Sequence, residues 1–191
     1  MFDRVSGTIV DLSPLFHDSW LRRVSSDPSL KTARVAIKNE MVNQHHGLDA
    51  EAEFDFIFTS VGSLEVLVAR KHGSFTDKNG QTQPLYREES GSWTEFERGF
   101  RNGRGPSEHG KHFYGRYEIL SAKLTKNETG LEFYISDVID YEGFPRTEPQ
   151  LLCELRIFAE DLAVCGPTGP ISLEEALRLG SDSWKAFHRD S

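Results

Sequence analysis

The sequence has only two cysteines and no long apolar run. In 191 residues, Cys153 and Cys165 are too few for a disulfide framework, so we expect reduced, structural thiols. No stretch approaches the roughly 18 apolar residues of a transmembrane helix, and the N-terminal "MFDRVSGTIVDLS" lacks the apolar core of a secretory signal. These absences predict a cytoplasmic protein without a membrane partner.

Positive charge is also scarce. Lys and Arg number 22 against 30 Asp and Glu, a formal net charge of −8. Binding nucleic acid or an anionic membrane through net charge needs a basic field, so the balance argues against both as a general mode. An acidic surface is suited to a basic protein partner, although a charge of this size also simply favours solubility.

Aromatic residues and period-two patterns are plentiful. The 13 Phe, 5 Tyr and 3 Trp can fill a sizeable core. Apolar and polar residues alternate in "ARVAIKNEM", which is typical of a half-buried strand. They also alternate in "EFDFIFTSVGSLEVLVAR" on both sides of Gly62-Ser63, which predicts a hairpin over residues 53–70 with a type II′ turn.

Further strands follow along the chain. A second hairpin is predicted within "YGRYEILSAKLTKNETGLEFYISDVIDY", with its turn at Lys126 to Gly130. "LLCELRIF" indicates another strand, and "SGTIVDL" indicates one more. The longest irregular stretch runs over residues 74–112, and Asn79-Gly80 within it would suit a hairpin tip.

Helical signals lie at the two ends. Ser13-Pro14 favours a helix start, and Phe16, Trp20 and Val24 then recur at steps of four. Near the C-terminus, Ser172 and Glu175 form a capping-box pattern after the connector "GPTGP". The helix that follows has an apolar stripe, although Gly180 is expected to interrupt it. The stripe consists of Leu173, Leu177, Trp184 and Phe187.

Strands joined by hairpins, with helices kept to the termini, predict a mainly β protein. The expected fold is an antiparallel β-sandwich or incomplete barrel built from hairpins, with a short N-terminal helix and a C-terminal amphipathic helix. Residues 1–166 would form the β domain, including the irregular loop 74–112. Residues 167–191 would form a helical extension packing on it, either in the same chain or on a partner.

A basic loop stands out between residues 98 and 116. It holds five basic residues and one acid, Glu108, and its guanidinium groups and glycines suit phosphate or carboxylate binding. The glycine spacing matches no phosphate-loop pattern, and a solvated surface loop is the alternative. The candidate binding residues are Arg98, Arg101, Arg104, Lys111, Arg116, Trp93 and Phe100.

The histidines offer two further chemistries. His109 and His112, with Lys111, are candidate catalytic residues, because two imidazoles and a cation can cleave a phosphodiester. The same pair is three residues apart, a spacing found in metal sites. Either site needs another imidazole, from His45 or His46 in the turn predicted at "VNQHHGLD", or from His72. No cofactor is expected.

Acidic residues recur at Glu51, Glu53 and Asp55, on one face of a predicted strand. Paired carboxylates or a calcium site are conceivable, but the calcium-loop pattern is absent, and a solvated strand face explains them.

The leading hypothesis is a non-enzymatic interaction module that binds another macromolecule, a protein or a second copy of the chain. The first alternative is a hydrolase or phosphodiesterase that uses His109 and His112 with the basic loop 98–116. The second is nucleic-acid binding through that loop.

Overall fold

The computed structural model describes residues 7–89, 117–140 and 151–189. The helices are α1 (Ser13–Phe16), α2 (Glu40–His45) and α3 (Leu173–Phe187). The strands are β1 (Thr8–Asp11), β2 (Ser19–Asp27), β3 (Thr32–Lys38), β4 (Phe54–Thr59), β5 (Ser63–Thr76), β6 (Thr82–Glu89), β7 (Tyr117–Asn127), β8 (Gly130–Asp140), β9 (Leu151–Ala159), β10 (Asp161–Gly166) and β11 (Gly169–Ile171).

The strands pair antiparallel in one continuous path. Its order is β11, β10, β4, β3, β2, β7, β8, β9, β5 and β6, and β1 pairs with β7 beside β2. Within the described ranges the two ends of the path, β11 and β6, do not pair with each other, so the sheet is not a closed barrel. The predicted mainly antiparallel β fold is confirmed.

Phenylalanine contacts show that the path folds over on itself. Strands β4 and β8 are four positions apart, which is about 19 Å along a flat sheet at the usual strand spacing. Nevertheless the rings of Phe58 in β4 and Phe133 in β8 have centroids 4.9 Å apart, and Phe16 of α1 lies 4.8 Å from Phe56. All four rings are fully buried. The two halves of the path therefore pack as the layers of a sandwich-like core.

The hairpin predicted over residues 53–70 is wrong. Both strands exist, but β4 pairs with β3 and β10, whereas β5 pairs with β6 and β9. The link crosses between strand pairs: Val61 donates its N–H to the Lys31 carbonyl at 2.8 Å and Gly62 donates to Phe158 at 2.9 Å. Ser60, with φ of 52°, takes the left-handed conformation, whereas Gly62 does not have a positive φ. A type II′ turn needs a positive φ at its first central residue, so none forms at Gly62.

The N-terminal helix is shorter than the helix predicted from the recurrence of apolar residues at every fourth position. It ends at Phe16, and Trp20 and Val24 lie in β2. A step of four places residues on one face of a strand as well as of a helix, so the pattern did not discriminate. The change from helix to strand takes place at Asp18, whose φ is 58° and whose N–H donates to the Ile119 carbonyl at 2.9 Å.

Regular structure also occupies part of the predicted loop 74–112. Strand β5 continues to Thr76 and pairs with β6, which begins at Thr82. The turn between them contains Asn79 and Gly80, with φ of 78° at the glycine, so the hairpin tip predicted there is confirmed. The hairpin at Asn127 to Gly130 is confirmed as well. The connector "GPTGP" forms part of a further hairpin, between β10 and β11.

Helix α3 begins where the capping-box pattern predicted. The Ser172 Oγ accepts a hydrogen bond from the Glu175 N–H at 3.0 Å. The buried line of the helix is Ala176, Gly180 and Ser183, all small residues. Gly180 does not interrupt the helix. Because glycine has no side chain, α1 can approach α3 closely at this position.

None of the helices in the described ranges combines the length and apolar content needed to cross a bilayer.

Candidate functional site

Most of the predicted site residues lie outside the described residues. These are Arg98, Arg101, Arg104, His109, Lys111, His112, Arg116, Trp93 and Phe100. The backbone of His72 belongs to β5, but its side chain is not described. The catalytic, metal-binding and nucleic-acid roles assigned to these residues stay predictions.

His45 and His46 lie on and directly after helix α2, not in a turn between strands. Asn39 is the N-cap of this helix, and its side-chain oxygen accepts a hydrogen bond from the Val42 N–H at 3.0 Å. Asparagine is a favoured N-cap residue, so this position was a sequence signal for the start of a helix. The His46 Nε2 lies 3.1 Å from the Leu179 carbonyl oxygen, a hydrogen bond that joins α2 to α3. Among the described side chains, no three His, Cys, Asp or Glu converge to hold a metal ion.

The acidic face of β4 and the loop before it is neutralised by ion pairs. Arg34 binds both carboxylate oxygens of Asp55, and Arg23 contacts Asp55 at 3.3 Å. Burial raises the pKa of Asp55, but the hydrogen bonds and charges of Arg34 and Arg23 outweigh it, so the pKa lies below 3.8. These carboxylates are therefore ion-paired on the face that the sequence predicted to be solvated.

Lys38 extends this network into the interior. Its side chain is only 4% exposed, and its Nζ lies 2.8 Å from Glu51 and 3.1 Å from Glu40. Arg22 completes the network by contacting Glu51 at 3.2 Å and Glu53 at 3.4 Å. A buried ammonium group needs such partners. The network links β2, β3 and the start of β4.

A groove lies where turns of the sheet meet. It has a volume of about 250 Å³, and its lining includes Ser60, Asn127, Thr129, Phe158 and Glu160. Small-molecule sites are mostly apolar cavities of about 300 Å³ or more. At this volume the groove is smaller than such a site.

The C-terminal end of α3 carries a cluster of four rings, here called the α3 aromatic cluster: His17, Trp184, Phe187 and His188. The Trp184 centroid lies 5.3 Å from His17, edge to face, and 5.5 Å from His188, stacked. Phe187 contacts Trp184 at 6.3 Å and His188 at 5.7 Å, yet 57% of it is exposed. The cluster presents an aromatic surface to solvent.

Helix α1 positions His17 within this cluster. The Leu15 carbonyl accepts hydrogen bonds from the Ser19 hydroxyl at 2.7 Å and the Asn39 amide at 2.8 Å. Beside the ring, the Asp18 Oδ1 lies 3.1 Å from the His17 Nδ1. The short helix is thus fixed at its C-terminal end, and His17 is fixed with it.

Sequence reasoning found part of this cluster. Trp184 and Phe187 were assigned to the apolar stripe of α3, and the structure divides that stripe. Leu173 and Leu177 pack against the core, whereas Phe187 remains largely exposed. His17 was missed, because no sequence pattern shows that a loop after α1 meets a helix more than 160 residues later.

Comparisons with known proteins identify no relative. No family model, no curated protein and no solved structure matches this chain.

Proposed function

We propose that this chain is a non-enzymatic interaction module, an acidic cytoplasmic β domain that binds another protein through the α3 aromatic cluster. The supporting observation is Phe187, 57% exposed at the end of a stripe whose first members pack on the core. Exposed large apolar residues that cluster with other rings are typical of contact surfaces. Tryptophan is enriched among the residues that dominate binding energy.

The cluster is prepared for binding by its own packing. Trp184 is held between His17 and His188, so little side-chain freedom remains to be lost when a partner docks. Completing the burial of a half-exposed Phe contributes about 1 kcal/mol, half of the value for a whole side chain. Truncation at a well-packed contact costs about 2 kcal/mol, which corresponds to about a 30-fold loss of affinity.

The test compares Phe187→Ala with Leu30→Ala. Leu30 is 69% exposed in the turn between β2 and β3, so it controls for the loss of any exposed apolar side chain. Wild-type protein, both variants and a blank support are used to capture proteins from a lysate of the source organism. A partner retained by wild type and Leu30→Ala should be lost from Phe187→Ala, and its affinity for purified Phe187→Ala should fall about 30-fold.

Self-association is measured in parallel by analytical ultracentrifugation. A dimer that Phe187→Ala dissociates would identify the partner as a second copy. Both variants should unfold within about 0.5 kcal/mol of wild type, because exposed positions contribute little to stability. Equal capture by all three proteins, together with monomers throughout, would refute a contact role for the cluster.

A further inference from the structure

Asn79 lies at the tip of the hairpin formed by β5 and β6. Two backbone hydrogen bonds close this tip: the Asp77 N–H donates to the Gln81 carbonyl at 2.8 Å, and the Gly80 N–H donates to the Asp77 carbonyl at 3.0 Å. Asn79 is exposed, and within the part of the chain that the structure describes its side-chain amide makes no hydrogen bond. The amide can therefore turn towards the backbone that follows it.

Gly80 leaves the backbone nitrogen after Asn79 accessible. Its φ of 78° lies in the left-handed region, which glycine adopts without steric cost. A Cβ built at this position would have no heavy atom within 4 Å beyond its chain neighbours, so the surrounding space is open to solvent. No side chain shields the Gly80 nitrogen, and the Asn79 carboxamide is the electrophile nearest to it along the chain.

We propose that Asn79 is a site of spontaneous modification that converts the residue through a cyclic imide into isoaspartate. Asparagine is among the thermolabile residues. Hydroxide removes the Gly80 amide proton, and the nitrogen attacks the Asn79 Cγ. The new C–N bond closes the imide ring, while the side-chain nitrogen takes a proton from water and leaves as ammonia, which restores the hydroxide.

Water completes the conversion by opening the ring. It adds to one of the two imide carbonyls and breaks the bond from that carbon to the ring nitrogen. Opening at the Cγ gives aspartate, whereas opening at the backbone carbonyl carbon gives isoaspartate, in which the chain runs through the former side chain. Either product adds one negative charge at the tip. The reaction is independent of the α3 aromatic cluster and of the function proposed for it.

The other described asparagines lack this combination. Asn39 and Asn43 are each 1% exposed, and both side chains are hydrogen-bonded. Asn127 lies at the tip of another hairpin, but its side-chain oxygen accepts from the N–H and the hydroxyl of Thr129, both at 2.9 Å. Glu128 follows it, and its side chain crowds the backbone nitrogen while its charge disfavours loss of the amide proton. Asn127 is therefore a matched comparison within the same chain.

The dependence on pH gives the expected magnitude. A backbone amide keeps its proton near neutral pH, so the reactive fraction rises in proportion to hydroxide. One pH unit corresponds to a factor of about 10 in a protonation equilibrium, and the rate at Asn79 should rise by about that factor. The hydrogen bond from Gly80 to Asp77 opposes the reaction until the tip opens, and exposed turns open locally at low free-energy cost.

The experiment incubates full-length protein at neutral pH and one unit higher, digests it, and follows each asparagine peptide by mass spectrometry. The Asn79 peptide should exchange its amide for an acid about 10-fold faster at the higher pH, and the peptides of the other described asparagines should stay unchanged. Fragmentation should detect isoaspartate, with Asn79→Asp as the standard for aspartate. Gly80→Ala should lose most of the conversion, both folded and in urea. Asn102, also followed by glycine, lies outside the described residues, and its peptide is followed separately.

Several outcomes would overturn the proposal. Asn79 that converts no faster than Asn127 would do so. A folded protein that stays intact while the urea-unfolded chain converts would show that the tip does not open. Aspartate without isoaspartate would indicate direct hydrolysis and exclude the imide. Equal rates for wild type and Gly80→Ala in urea, where the hairpin is absent from both proteins, would remove the role assigned to glycine.

Discussion

Replacing Gly180 by alanine tests how closely α3 docks on α1. Gly180 is buried in the middle of α3, against the backbone of Pro14 and Leu15. A Cβ at this position would lie 2.9 Å from the Leu15 nitrogen and 2.5 Å from the Pro14 carbonyl carbon, and closer still to the Pro14 oxygen. These are backbone atoms, which cannot rotate away, so the two helices would have to separate.

Two opposing effects set the size of the change. Alanine is favoured over glycine inside a helix by about 1 kcal/mol. Overpacking typically costs about 1 to 3 kcal/mol, and overlap with three backbone atoms at Gly180 places this site near the upper value. The net expectation is a loss of about 2 kcal/mol in the free energy of unfolding. For a chain of this size that lowers Tm by about 4 to 8 °C.

Urea and thermal unfolding of wild type, Gly180→Ala and Gly180→Val measure this loss. The larger valine should destabilise more than alanine. Lys185→Ala is the control, because Lys185 is 67% exposed in the same helix and should change stability by no more than about 0.5 kcal/mol. A Gly180→Ala protein as stable as wild type, or more stable, would refute the reasoning. Helix propensity would then outweigh the contact, and α1 would lie farther from α3.

Two further predictions concern polar groups that fix the helices and strands. Asn39→Ala should cost about 1 to 2 kcal/mol in urea unfolding, because the Val42 N–H loses its cap and the Leu15 carbonyl loses a donor; a neutral result would contradict that role. For Asp55, a folded pKa below 3.8 means that the carboxylate stabilises the fold above that pH, and that the stabilisation is lost as pH falls through the folded pKa. The stability difference between wild type and Asp55→Asn should be constant near neutral pH and shrink below pH 3.8; a difference that persists in acid would exclude pairing with Arg34 as its source.

The strands and their buried faces could be predicted from alternation alone. Phe54, Phe56 and Phe58 are all fully buried on one face of β4, as their spacing indicated. Alternation sets which face is buried, but it carries no information on which strand lies alongside. The hairpin predicted for β4 and β5 failed for that reason: the link at Val61 and Gly62 hydrogen-bonds to Lys31 and Phe158 instead.

Less of the candidate site than of the fold could be predicted from the sequence, because the site depends on contacts between residues far apart in the chain. Gly180 looked like a helix breaker, because local propensity was the only guide to it; the contact with Pro14 makes glycine the residue that fits. His17 follows a helix of only four residues, and its place beside Trp184 results from the docking of α1 on α3. Spacing along the chain shows neither effect.

The ion pairs on β2, β3 and β4 change where a charged partner would bind. The sequence suggested that Glu51, Glu53 and Asp55 lie on the solvated face of a strand. The structure pairs four acids of this network with four cations, so these eight groups together add nothing to the net charge of −8. Because such pairs already satisfy each other, displacing them for a partner would leave groups such as the buried Lys38 without compensation. A partner therefore gains more outside this network, which favours the aromatic end of α3 as a contact surface. The paired groups are Arg22, Arg23, Arg34 and Lys38 with Glu40, Glu51, Glu53 and Asp55.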